Sequence, residues 1–195
     1  MKALQIKQIL LALVLSTTAL SATADWTLNN ADSSLNFIAI KKLSIGEVHA
    51  FNSINGSLKD NGDAKVNVIL SSVNTQIPKR DARMKKKLFE ITKFPQASVT
   101  TKLDIHRINN LKVGESFSQT VELALSIHGQ QQEVEANMRV TALANNRLLA
   151  STIKPIIINA KDFKLVKGIN ILRSLAKLSS ISTAIPVTAD FIFEK

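Results

Sequence analysis

The stretch Thr120–Leu143 reads TVELALSIHGQQQEVEANMRVTAL and indicates the fold class of the whole chain. Apolar side chains occupy every second position in its first half, and the alternation resumes after Gly129. A period of two is typical of β-strands that bury one face. The pattern therefore predicts strands over 120–127 and 133–142, joined as a hairpin around the sequence HGQQQ.

The same alternation recurs elsewhere, most clearly in 35–39, 66–70 and 99–105. Turn signals separate the runs, and they lie at Asn55–Gly56, Asn61–Gly62, Gly129 and Asn145–Asn146. Because the strands follow one another without long helices between them, we expect antiparallel pairing. About eight such strands predict an all-β, lipocalin-like antiparallel barrel, which leaves no open sheet edge. A two-sheet sandwich is the alternative.

Two segments have helical spacing instead. In 79–91, Met84 and Leu88 lie four residues apart, and Pro95 ends any helix that begins there. In 168–178, the apolar residues fall on one helical stripe. The sequence thus predicts one or two short helices, which could close the ends of the barrel.

The first 24 residues have the three parts of a secretory signal peptide. A positively charged start precedes the apolar run 9–15, and Ala22-Thr23-Ala24 supplies a small-residue cleavage site. The apolar run is too short to cross a bilayer, which takes about 20 residues. We expect a signal peptide over 1–24, a single domain over 25–195, and export of that domain.

The net charge of +10 and the basic run within Arg80–Pro95, RDARMKKKLFEITKFP, raise the question of an anionic partner. Export argues against nucleic acid, and the run lacks the interleaved aromatic residues on which single strands stack. A short helix with solvated lysines is the simpler interpretation. Transient contact with an anionic membrane surface is the second.

Residues that could carry catalysis are scarce. The chain has no cysteine, no G-x-S-x-G motif and no glycine-rich phosphate loop. His49, His106 and His128 lie on different predicted strands or strand ends, with no ligand spacing between them. We interpret them as three separate surface or hairpin side chains, and we expect no enzyme activity, no metal and no cofactor.

A series of short motifs follows a characteristic order along the chain. They are Trp26, Ser34-x-x-Phe37, Phe51, Gly56, Ser72-Val73-Asn74-Thr75, Arg80-Asp81, Lys93-Phe94-Pro95, Ile127-His128-Gly129, Glu133-Val134 and Leu172-Arg173-x-Leu175. This order resembles the YceI-like family, exported bacterial proteins with a lipocalin-like barrel. The resemblance implies a periplasmic, non-enzymatic carrier of a polyisoprenoid, a quinone-type lipid or a fatty-acyl amide.

One segment departs from the commoner family pattern. Many members have RD-x-HL followed by a double Phe, whereas this chain has Arg80-Asp81-Ala82-Arg83-Met84 and then Leu88-Phe89-Glu90. The chain therefore resembles a divergent branch of the family, and we expect the segment to influence which ligand is bound.

The predicted site follows from the inward-facing strand positions and the two helical segments. The predicted apolar wall consists of Phe37, Val68, Leu70, Val99, Leu103, Leu123 and Leu125. The predicted gate consists of Met84, Leu88, Phe89, Ile169 and Leu172, and the predicted headgroup contacts are Arg80, Arg83 and Lys87. We expect this carrier to be a monomer or homodimer. The same pattern fits a filled barrel, so an alternative remains: a non-enzymatic stress-response or interaction protein with a packed core and a functional basic surface.

Overall fold

The structure, a computed structural model, describes residues 25–195, and the predicted signal peptide lies outside the described residues. This part of the chain forms strands β1 (Trp26–Lys41), β2 (Ile45–Phe51), β3 (Ile54–Leu58), β4 (Asp63–Ile69), β5 (Val73–Asn74), β6 (Gln96–Lys102), β7 (Ser116–Ile127), β8 (Gln130–Leu143), β9 (Arg147–Thr152), β10 (Ile156–Asn159) and β11 (Ala184–Glu194). It also forms helices α1 (Pro78–Arg83), α2 (Ile105–Asn109) and α3 (Val166–Leu175), with a 3₁₀ turn at Leu70–Ser72 and a π-helical turn at Met84–Leu88.

Eight of these strands close into an antiparallel barrel. The pairing runs β11-β9-β8-β7-β6-β4-β3-β1, and β1 then pairs with β11, which joins the two ends of the sheet. The predicted eight-stranded barrel is confirmed, and closure excludes the two-sheet sandwich. Strands β2, β5 and β10 are additional, and β2 and β10 extend the wall along Asn36–Lys41 of β1 and Ala184–Val187 of β11.

The hairpin of β7 and β8 is confirmed, with longer strands and a shorter loop than expected. Only His128 and Gly129 form the turn, with φ of 51° and 73°. Two consecutive residues of positive φ match the twist of the flanking strands, which favours a two-residue turn over the five-residue loop HGQQQ. Residues 130–132 consequently extend β8 and pair with the end of β7.

Two local predictions were wrong. Asn55–Gly56 is not a turn but lies within β3, where a Cβ on Gly56 would approach the backbone oxygen of Lys65 to 2.4 Å. The glycine allows two strands to approach closely, which is a common reason for glycine within a sheet. Ile105 is helical rather than extended, because the Asp104 carboxylate accepts a hydrogen bond from Arg107 N at 3.1 Å and caps α2.

Short helices cover the two ends of the barrel. At one end α2, which the sequence pattern did not predict, buries Ile108 and places Arg107 4.0 Å from the centre of the Phe117 ring. At the other end α1, the π-helical turn and α3 lie where 79–91 and 168–178 were predicted to be helical. Among the helices of residues 25–195, none combines the length and apolar character that membrane crossing requires.

Candidate ligand-binding cavity

The barrel interior contains a cavity of about 590 Å³ with almost entirely apolar walls. This volume falls within the usual range for small-molecule sites. All seven predicted wall positions line it: Phe37, Val68, Leu70, Val99, Leu103, Leu123 and Leu125. The alternating strand pattern thus located the interior surface, although it did not determine whether that interior is hollow.

Small side chains explain why the barrel is not filled. Five strands each contribute an alanine to the cavity wall: Ala39 of β1, Ala64 of β4, Ala97 of β6, Ala150 of β9 and Ala189 of β11. An eight-stranded barrel is just wide enough for large inward side chains to meet. Alanine at five inward positions therefore leaves space. None of these alanines was among the predicted wall residues, although alanine at an inward strand position was a signal for open space in the barrel.

The five predicted gate residues also line the cavity and belong to two packed segments. Met84, Leu88 and Phe89 lie at the π-helical turn, and Ile169 and Leu172 lie on α3. Phe89 N donates to Met84 O at 2.9 Å, which closes the wide turn and carries Phe89 into the interior. Both side chains are buried against Leu70 and Val73.

Gly168 sets how closely these two segments pack. A Cβ at this position would lie 2.7 Å from Lys87 O and 2.8 Å from Leu88 Cα. Both distances are below any ordinary contact, so only glycine permits α3 to rest on the π-helical turn as it does. The cover of this barrel end is therefore built from two segments that touch through backbone.

Charged groups meet the cavity at this same end. Lys41 Nζ donates to Glu47 Oε1 at 2.7 Å, and Arg80 Nη1 donates to Glu47 Oε2 at 2.7 Å. Arg80 Nη2 also donates to Thr75 O at 2.7 Å. The hydrogen bond from Lys41 is the main cause that lowers the pKa of Glu47, with Arg80 acting in the same direction. The group is thus a fixed ion triad on the rim of the cavity.

His49 lies one step deeper on β2 and lines the cavity. Its side chain is only 5% exposed, and its ring meets Phe37 edge-on at 5.3 Å between centroids. Nδ1 is buried and has no hydrogen-bond partner among residues 25–195. Burial lowers the pKa of His49, and the nearby Arg80 cation lowers it further, so the ring is neutral at pH 7.

The expectation of three surface or hairpin histidines was therefore wrong for His49. His106 is exposed. His128 Nε2 lies 2.9 Å from Glu90 Oε2, and its ring contacts the Phe94 ring in a tilted arrangement with 4.3 Å between centroids. These contacts tie the hairpin turn to the segment after the π-helical turn. No group of three or more potential metal-ligating side chains occurs within residues 25–195.

The three predicted headgroup residues lie in different surroundings. Arg83 lines the cavity and forms no ion pair with the residues that the structure describes. The same is true of its neighbour Lys79 on α1. Arg80 lines the cavity but is engaged by Glu47 and Thr75. Lys87 is exposed and does not line the cavity. Of the three predicted headgroup residues, Arg83 is therefore the one that lines the cavity without an ion-pair partner among the described residues.

Comparison with known proteins bears on this cavity. The family model described as YceI-like domain matches residues 26–193, nearly all of the described chain. The chain belongs to the YceI-like family. The closed antiparallel barrel described above is thus the fold of a YceI-like domain. No curated protein matches the sequence at a significant level.

Solved structures of similar fold include one relative that shares about a third of its residues with this chain. A polyisoprenoid binding domain from Saccharophagus degradans, implicated in plant cell wall breakdown, is 34% identical, with a TM-score of 0.85 over 87% of this chain and 97% of its own. BcnA of Burkholderia cenocepacia is 14% identical, with a TM-score of 0.63 over 85% and 98%. A Campylobacter jejuni YceI protein is 20% identical, with a TM-score of 0.50 over 77% and 89%. The last two show likeness of fold alone.

Proposed function

We propose that this YceI-like protein is a periplasmic carrier that holds an elongated apolar ligand inside its barrel. The observation that carries the proposal is the 590 Å³ cavity, whose walls are apolar and whose charged groups all lie at one end. The description of the Saccharophagus degradans relative as polyisoprenoid binding supports a polyisoprenoid chain as the ligand class. A quinone-type lipid or a fatty-acyl amide has the same overall character.

The distribution of polar groups sets the orientation of the ligand. Each methylene buried in the barrel contributes about 0.8 kcal/mol, so a long chain needs few polar contacts. The polar end of the ligand would then lie beside His49, whose neutral ring offers a hydrogen bond to a carbonyl or hydroxyl group. Arg83 would meet an anionic headgroup, because Arg80 is already engaged by Glu47.

The protein acts in this proposal by binding and not by catalysis. The cavity wall has few polar atoms, and the one buried histidine has an aromatic neighbour, Phe37, in place of a carboxylate that would orient it as a general base. We propose a monomer or homodimer. One barrel encloses its ligand, so binding does not require a second copy.

Native mass spectrometry and lipid extraction of protein purified from a bacterial periplasm test the proposal. The wild type should retain an apolar molecule of defined mass. Ala150→Phe, which extends a ring into the cavity, should lose it. Ala124→Phe on the outer face of β7 is the matched control and should retain it.

Recovery of no apolar molecule from the wild type, or equal loading of the two variants, would contradict the carrier proposal. The alternative function, through a basic surface, predicts another pattern. Reversal of charge at Lys86 and Lys87, both exposed, would then abolish function while Ala150→Phe left it intact.

A further inference from the structure

Three segments border the opening of the cavity. They are the turn between β1 and β2 with the adjoining strand ends (41–47), helix α1 with the residue before it (77–83), and the end of α3 with the chain after it (172–182). Together we call them the opening face. Lys41, Lys79 and Leu178 line the cavity from these segments. Lys42 N donates to Ser180 O at 3.1 Å, and Arg80 pairs with Glu47, so the three segments are in direct contact.

Exposed apolar side chains concentrate on the opening face. Leu43 is 87% exposed, Ile77 48% and Leu175 46%. Leu43 also has a φ of 69°, a backbone conformation that turns usually reserve for glycine or asparagine. Lys42 N and Leu43 N donate hydrogen bonds to Ser180 and hold the backbone of the turn, but the Leu43 side chain is almost wholly in solvent, so packing does not explain a leucine there. A surface of this kind is typical of an interaction site.

The charge of the opening face is also one-sided. Its three segments contain seven Lys and Arg side chains against the two carboxylates Glu47 and Asp81. The opposite end of the barrel, where α2 buries Ile108, is called the plugged end and provides a comparison within the same molecule. Its segments 59–63, 103–115, 143–147 and 194–195 contain five cations and five carboxylates. The excess of positive charge is therefore a property of the opening face and not of the barrel as a whole.

Apolar side chains ringed by cations are complementary to one partner in particular. An anionic phospholipid bilayer offers negative headgroups at its surface and an apolar layer directly beneath, and both attract such a surface. We infer that the opening face docks on an anionic phospholipid bilayer, with Leu43 inserted among the headgroups and Lys42, Lys79 and Lys177 above them. The inference rests on the proposed function, since docking would place the cavity opening where an apolar ligand can pass to or from the bilayer.

Vesicle sedimentation tests this docking. The full-length mature protein is mixed with vesicles of phosphatidylcholine alone or of phosphatidylcholine mixed with phosphatidylglycerol, at low and high salt. We expect binding to the phosphatidylglycerol vesicles that weakens with salt. Leu43→Ser should reduce this binding about tenfold, because a leucine side chain no longer leaves water. Lys42→Glu combined with Lys177→Glu should reduce it at least as much.

Matched variants at the plugged end provide the controls. Val113, 70% exposed, and its neighbour Lys112 are an apolar residue and a cation away from the opening. Val113→Ser and Lys112→Glu should leave vesicle binding unchanged. In a gain-of-signal test, Leu43→Trp should give a blue-shifted emission on phosphatidylglycerol vesicles, and Val113→Trp should not, since indole rings favour the interface.

The ligand content of each protein, measured by lipid extraction on the same samples, separates this inference from the proposed function. Absence of binding to phosphatidylglycerol vesicles, or equal losses from Leu43→Ser and Val113→Ser, overturns the docking even if the cavity carries its ligand. Selective loss with Leu43→Ser supports the docking. An empty cavity in protein that still docks through Leu43 would count against the carrier function alone.

Discussion

His49 shows how one side chain reports on the character of the cavity. A buried, unpartnered ring nitrogen is uncommon, because a polar atom removed from water normally finds a hydrogen-bond partner. Neighbouring Phe37 offers an edge contact but no acceptor. The ring thus retains a hydrogen-bonding position that a ligand could use, and its lowered pKa keeps it neutral.

The lowered pKa of His49 has a consequence for stability. The pKa of a histidine in the unfolded chain is about 6.5, and burial lowers the pKa of His49 in the folded protein. As the pH falls below about 6.5, the unfolded state takes up a proton that the folded state does not. The free energy of unfolding therefore decreases with falling pH until the pH is below the folded pKa. We expect His49→Phe to flatten the dependence of the urea midpoint on pH in this window. His106→Phe, at an exposed position, is the control, and equal flattening by both would contradict the prediction.

Glu47 joins two cations on the rim of the cavity, and its removal tests what the triad contributes. Because these side chains are about 30% exposed, solvent screens the pairs, and we expect Glu47→Gln to cost less than about 1 kcal/mol of unfolding free energy. The loss should be present at neutral pH and disappear as Glu47 is protonated in acid, since its folded pKa is lowered. Urea titrations of Glu47→Gln and of the control Glu122→Gln, which removes an exposed carboxylate on β7, check this prediction. A loss of stability that persists in acid would contradict it.

Individual elements were predicted to different degrees, for physical reasons. The β7–β8 hairpin was predicted well because one face is buried over 121–125 and 136–142, so alternation is strict there. Helix α2 was missed because its five residues are too few to show a helical period, and its start depends on one cap, Asp104. Gly56 was misread because a glycine that permits close approach looks like a turn glycine when its partner strand is unknown.

Because α3 packs closely on the π-helical turn, we expect a glycine-to-alanine substitution in this helix to lower the free energy of unfolding, which is the opposite of its usual effect. In an ordinary helix, alanine is more favourable than glycine by about 1 kcal/mol. At Gly168 the added Cβ would meet Lys87 O at 2.7 Å, so α3 must move away from the turn. We expect Gly168→Ala to destabilise the protein and to raise amide exchange over 84–89, because the cover loosens.

The exposed position Ser174 on the same helix provides the matched comparison. Ser174→Ala should be neutral or slightly stabilising and should leave exchange over 84–89 unchanged, as helix propensity alone dictates. A stabilising effect of Gly168→Ala would show that the two segments do not depend on backbone contact.

At the scale of the whole molecule, closure and hollowness have different origins. Closure depends on the register between β1 and β11, which are at opposite ends of the chain, and no local pattern specifies it. Hollowness depends on which inward positions are small, and that is readable once the strands are known: Ala150 and Ala189 lie on adjacent strands at the cavity wall. Sequence patterns thus located the interior, whereas only the assembled barrel revealed the space within it.

An occupied interior should also stabilise the barrel. A ligand that binds only the folded state adds RT ln(1 + [L]/Kd), which is about 2.7 kcal/mol at a hundredfold excess over Kd. We therefore expect the melting temperature to fall when the purified protein is stripped of lipid and to recover when a polyisoprenoid lipid is returned. Ala150→Phe should show no such difference, because its ring occupies the space the ligand needs, while Ala124→Phe should behave as wild type. If stripping left the melting temperature of the wild type unchanged, the cavity would not be the place where the ligand is held, since burial of a long chain there cannot be energetically silent.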